Sequence, residues 1–190
     1  MKNITLNNFQ AIGLCKSSYY SSKESYCTVT CNLEMGKIYG LVSNFGLGSW
    51  GFASSLCGRG EQYYGEMLID GVPVEPTYFS DKTVFVFDKI ENEISSESEN
   101  LTVKEYIIKA LEYSGLPYSD IDIKNMFCLT DERYNRTLDQ VGIEIWRISI
   151  AIGFALNKQV YCFPWFNESD IMFIKDPTIL KTLNKTTSLF

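Results

Sequence analysis

Gly40-Leu41-Val42-Ser43-Asn44-Phe45-Gly46-Leu47-Gly48-Ser49-Trp50-Gly51-Phe52-Ala53-Ser54-Ser55-Leu56-Cys57-Gly58 is the stretch that decides how this chain reads. An apolar run, Lys37–Val42, enters a glycine-rich turn; a short apolar segment leaves it and stops at Gly58. That is the layout of a phosphate-binding loop, in which backbone N–H groups at a helix start cradle phosphate oxygens. The working pattern is G-x-x-x-x-G-K-[ST]. Here Ser43 stands in the first glycine slot and Gly48 in the second. Ser49 takes the place of the lysine, and Trp50 the place of the magnesium-binding hydroxyl. The layout is kept, while the cation and the metal ligand are not.

Working outward on the N-terminal side, Ile4–Leu14 reads as a strand and the Ser- and Tyr-rich Ser17–Ser25 as a loop. Thr28–Glu34 alternates, with Val29, Cys31 and Leu33 on one face, the pattern of a half-buried strand. Met35-Gly36 turns it into Lys37–Val42, which is apolar enough for a central strand. On the C-terminal side, Glu66–Ile69 and Val72–Val74 flank Asp70-Gly71, a strong hairpin signal. Thr83–Phe87 is a buried strand, and Glu91–Asn100 an acidic, Ser-rich loop.

Helical signals follow. Thr102 and Glu105 make a capping box, with Val103, Tyr106, Ile107, Ala110 and Leu111 on one face and Gly115 as the stop. Ser119 and Asp122 open a second short helix; Asp120 and Asp122 there compensate the helix dipole. Ile143–Leu156 is a longer, mostly apolar helix with Trp146 in its core face. Gln159–Phe163 is a strand, and Asp176-Pro177 opens a last helix. Strands separated by helices imply an α/β core. The expected fold is a P-loop NTPase-like core with an N-terminal antiparallel β subdomain and a helical insert over about residues 101–142, all in one domain, 1–190.

Bulk composition narrows the chemistry. The chain has 190 residues, 45% of them apolar, and a net charge of −6, which disfavours nucleic acid or anionic membrane as the main partner. It contains no histidine, so no His base, triad member, metal ligand or switch exists. Ser49, Ser54 or Cys57 as a hydrolytic nucleophile therefore lacks that base. Six cysteines occur without a C-x-x-C or zinc spacing, and read as buried reduced thiols of a cytosolic protein. The first residues carry no apolar signal segment, and the longest apolar run, Ile148–Leu156, is too short to span a bilayer. Glu91, Glu93, Glu97 and Glu99 match no calcium loop and read as a solvated acidic segment; no metal site is expected.

The order of elements and four phrases in it resemble the nucleotide-binding domain of an ABC transporter, over nearly the whole chain. Gly36–Gly58 is similar to the family's strand, Walker A loop and helix. Glu66–Val74 resembles the G-E-I-x-I-D-G hairpin, and Leu101–Ile107 the L-T-V-x-E opening of the helical subdomain. Ile143–Phe163 resembles the helix after the signature, with Arg147 and Ala151 in the family's Arg and Ala positions, and then the Walker B strand.

What the resemblance implies is a set of slots, and most are filled with the wrong chemistry. Ser49 and Trp50 replace the Walker A Lys and the magnesium ligand. The Q-loop Gln falls near Asp88 or Lys89. The signature L-S-G-G-Q aligns with Gln140-Val141-Gly142-Ile143-Glu144, so Val141 replaces the Ser that would bond a partner's γ-phosphate, and Ile143 the second Gly. Pro164-Trp165 stand where the family places Asp-Glu; with Phe166 they read as a plugged pocket or as an apolar contact site. The switch His is missing, and the chain stops about where the last strands should begin, the pattern of a degenerate, C-terminally truncated cassette.

Phosphoryl transfer relies on placed positive charge and a positioned nucleophile. The expectation is a catalytically inactive ABC ATPase-like protein without cofactor. Gly46 and Gly48 can still present backbone N–H groups, and Tyr19 or Tyr20 lies where the family stacks an aromatic on adenine. The same glycines equally make a plain tight turn, and Trp50 fills the space of the phosphates, so ATP and magnesium are not expected to bind. Two roles follow: a non-hydrolysing partner or regulator of a membrane ABC transporter, paired with a permease, an intact ATP-binding subunit or a second copy, or a free-standing cytosolic binding protein. A weakly active ATP-binding subunit is the third.

Overall fold

The computed structural model describes residues 2–16, 21–25, 28–41, 49–58, 62–86, 100–163 and 188–189. Its organising strand is β1, Asn3–Lys16. Along its first half β1 is flanked by β3 (Val29–Glu34) and β4 (Gln62–Ile69), both antiparallel, with Ile4 opposite Leu33 and Ile69, and Leu6 opposite Cys31 and Met67. Its second half pairs with β2, Ser21–Ser25. The Ser17–Ser25 stretch is therefore not all loop. A polar segment without alternation gives no strand signal, and here the long β1 supplies an edge for it to pair with.

β4 turns into β5 (Val72–Pro73) through Asp70 (φ +49) and Gly71 (φ +84). Two left-handed residues in succession are what a type I′ hairpin turn requires, and Asp-Gly supplies them at low strain. Asp70 also works outside its turn. Its carboxylate accepts from the N–H of Lys2 and of Asn3, each at 2.8 Å at the nearest, fastening the start of β1 to the hairpin.

Lys37–Val42 is corrected by the structure. Among the described residues 37–41 there is a single bridge, at Ile38, and no central strand; Ile38 is 52% exposed and Leu41 41%. The Glu34 N–H donates to the Tyr39 hydroxyl at 2.7 Å, so this segment folds back on the end of β3.

α1, Ser49–Leu56, crosses to a second, parallel sheet: β6 (Thr83–Phe85), β7 (Val160–Cys162) and β8 (Ser188–Leu189), in the order β6-β7-β8. No sequence pattern marks β8, which forms by pairing Ser188 and Leu189 with Val160 and Tyr161 of β7. Between β6 and β7 lie α2 (Val103–Ser114), α3 (Asp120–Met126), α4 (Asp131–Tyr134) and α5 (Ile145–Ala155).

Both capping boxes form, at Thr102/Glu105 and Ser119/Asp122, and Gly115 closes α2 in the left-handed conformation, φ +67. The five apolar α2 residues read as one face are all buried. Asp120 goes beyond dipole compensation, accepting from the Tyr134 hydroxyl at 2.6 Å.

Two hydrophobic clusters share the parallel sheet. On one face Val84, Val86 and Tyr161 pack with the apolar sides of α2, α3 and α5. On the other Phe85, Val160 and Cys162 pack with Phe52, Leu56 and Cys57 at α1 and with Ile4, Leu6 and Phe9 of β1. The period-2 alternation of a strand puts its neighbours in different cores. The described cysteines Cys31, Cys57, Cys128 and Cys162 are free, but only Cys57 and Cys162 are buried; Cys31 is half-buried and Cys128 exposed, which corrects the uniform reading of buried thiols. Among the described residues, no helix is long and apolar enough to cross a membrane.

Candidate functional site

The sequence-derived site falls into three parts. The loop end is α1. The helix starts at Ser49, so the residue in the lysine slot is its first and Trp50 its second. Its first turn carries no acidic residue. Gly51, Phe52, Ser55 and Leu56 are buried, and Phe52 meets Phe9 edge-on at 5.9 Å between ring centroids. The helix is thus held by its apolar side against β1. Gly58 ends the segment at φ +69, where a Cβ would sit 2.8 Å from the Ser80 nitrogen, so only glycine fits. Tyr20, Ser43, Gly46 and Gly48 lie outside the described residues.

The signature-like part is a compact turn. Val141 is 0% exposed, its side chain turned into the core beneath the helical insert. Gly142, at φ +60 and exposed, opens a 3-10 turn, Gly142–Glu144, that feeds α5; Ile143 contributes backbone to that turn. One residue outside the motif organises it. Arg133 of α4 donates through Nη1 to the Val141 carbonyl at 2.9 Å, and its Nε stands 2.5 Å from the Glu144 carboxylate. Both members of this pair are about 30% exposed, at 31% and 28%. The guanidinium fork suits such a double duty because its donors are rigidly spaced. Nothing in the sequence points to Arg133: its partners lie eight and eleven positions away, beyond the three- and four-residue contacts of a helix.

Downstream, α5 carries Arg147 and Ala151. Arg147 donates to the Cys128 carbonyl at 3.3 Å and lies 5.3 Å from the Trp146 ring, while Ala151 is wholly buried. Trp146 is 3% exposed, the core position its sequence suggested. α5 runs so close to the sheet that a Cβ on Gly153 would lie 2.5 Å from Val84 Cγ2 and 3.1 Å from Tyr161 Cε1.

β7 follows, with all three residues buried. Burial pushes the Tyr161 phenol far above its ordinary pKa, and its hydroxyl has no hydrogen-bond partner among the described residues. Lys158, just before β7, is buried with Nζ 2.9 Å from the Asp81 carbonyl. Pro164, Trp165 and Phe166, like Asp88 and Lys89, lie outside the described residues.

The structure brings Val141, Gly142 and Glu144 together at the start of α5, and Ser49 and Trp50 together at the start of α1. It does not bring the two groups to each other. α1 packs on the Phe85/Val160/Cys162 face of the parallel sheet and α5 on the Val84/Tyr161 face. Among the described residues no group of three or more His, Cys, Asp or Glu side chains is placed to hold a metal ion.

This arrangement is a P-loop NTPase-type α/β fold with an antiparallel sheet and a helical insert, and comparison with solved structures gives it a narrower form. The chain superposes on an ABC transporter ATP-binding protein of Pyrococcus furiosus with a TM-score of 0.67 and 16% identity, over 98% of this chain and 88% of that one. A bacterial ABC transporter cassette solved as a dimer gives 0.63 and 18%, over 98% and 85%. CbiO1 of Clostridium perfringens, part of the ABC transporter complex CbiONQ, gives 0.61 and 13%, over 97% and 77%. The chain has the fold of an ABC transporter ATP-binding cassette. No protein-family model matches its sequence, and no curated protein does.

Proposed function

We propose that this chain is a non-hydrolysing ABC ATPase-like subunit, acting as partner or regulator of a membrane ABC transporter. The observation that carries the reading is Val141, fully buried in the slot where the ABC signature would display a serine hydroxyl to nucleotide. A side chain turned into the core has no atom to offer across a subunit interface. Ser49 at the first position of α1 points the same way, since a neutral hydroxyl replaces the cation that would neutralise phosphate charge. Removing one preorganised electrostatic group from an enzyme site costs about 10²–10³-fold in rate. Several such losses in one chain favour a scaffold over a catalyst.

The donor set does not fit a magnesium nucleotide. Trp50 has no metal-binding oxygen, and the chain has no histidine to sense a γ-phosphate. The chain then keeps the docking surfaces of the fold without its chemistry, lying at the cytoplasmic face of the membrane through its partner. CbiO1 is part of a transporter complex and another structural neighbour is a dimer, so a permease, an intact ATP-binding subunit and a second copy are the partners that the fold suggests.

The test is phosphate release and calorimetric titration on the purified chain with ATP and magnesium. The expected result is no turnover above background and no heat of binding in the sub-millimolar range. Metal-dependent turnover that disappears in Gly48→Asp, or sub-millimolar affinity, overturns the inactive reading. Co-purification from native membranes with a permease is expected; recovery only as a free monomer refutes the transporter reading.

A further inference from the structure

We draw no further inference here: the strongest candidate, the exposed apolar side chains Tyr113, Tyr118 and Ile121 at the α2–α3 corner of the helical insert, is an unpartnered surface with nothing in the structure to say what covers it.

Discussion

Gly153→Ala adds one methyl group at the tightest contact between α5 and the parallel sheet. The new Cβ would lie 2.5 Å from Val84 Cγ2, where carbon pairs in contact rest at about 3.5–4.0 Å. Val84 is 3% exposed and β-branched on a strand, so it has few rotamers to escape into. The Tyr161 ring, at 3.1 Å, closes the other side. Overpacking of this kind costs about 1–3 kcal/mol, against which alanine regains roughly 1 kcal/mol of helix propensity over glycine. At 2.5 Å the overlap puts the cost in the upper half of that range, so the net expectation is a loss of about 1–2 kcal/mol, read as a lower midpoint in urea denaturation followed by far-UV circular dichroism.

The double variant isolates the cause. Val84→Ala alone leaves a void and costs roughly 1–3 kcal/mol. In that background the Gly153→Ala methyl enters the void, so its own effect should fall to near zero or become slightly stabilising. A coupling of at least about 1 kcal/mol between the two sites is therefore expected, as for residues in direct contact. Equal costs of Gly153→Ala in both backgrounds, or no cost in the native one, refute the contact as the reason for the glycine.

Three further outcomes follow from the geometry. Gly65→Ala should destabilise the antiparallel sheet by more than about 2 kcal/mol, because a Cβ there would lie 2.3 Å from the Asn8 carbonyl oxygen at φ +86; an unchanged urea midpoint contradicts this. Arg133→Gln removes both the Val141 carbonyl bond and the Glu144 pair, so amide exchange over Val141–Ile145 should accelerate roughly tenfold, as about 1.4 kcal/mol implies. Arg136→Gln, which among the described residues loses an exposed pair with Glu132, should leave that exchange unchanged.

The last outcome concerns acid. The Thr102 N–H and hydroxyl hold the Glu105 carboxyl below its usual range, and the Ser119 hydroxyl and N–H do the same for Asp122. A depressed carboxylate stabilises the fold above its unfolded pKa and loses that contribution as pH falls through the folded one. The melting temperature should therefore drop as pH falls below about 4, and drop less in Glu105→Gln/Asp122→Asn. Identical acid profiles for the two proteins would count against the capping boxes as its source.

The parts of the fold that were legible in the sequence are those with a local cause. Thr102/Glu105 and Ser119/Asp122 write their capping boxes in four letters, Gly115 its left-handed stop, and Asp70-Gly71 its turn. The parts that were not legible depend on distant partners. Ser21–Ser25 becomes a strand because β1 runs on past β3, and Ser188–Leu189 because β7 offers an edge. Lys37–Val42 failed in the opposite sense: a six-residue apolar run has no period that separates strand from loop, and Tyr39 is drawn to the Glu34 amide instead. At the site, residue types gave the missing chemistry at Ser49, while only the fold reveals that Val141 faces inward and that Arg133 holds its turn.

The three-residue strands β6 and β7 have no solvent side. Alternate residues of each belong to different cores, so each strand is a wall common to two rooms. Neither core can empty without stripping the other of a face, so the antiparallel sheet and the helical insert are expected to melt together. The same wall stands between α1, on its Phe85/Val160/Cys162 face, and α5, on its Val84/Tyr161 face.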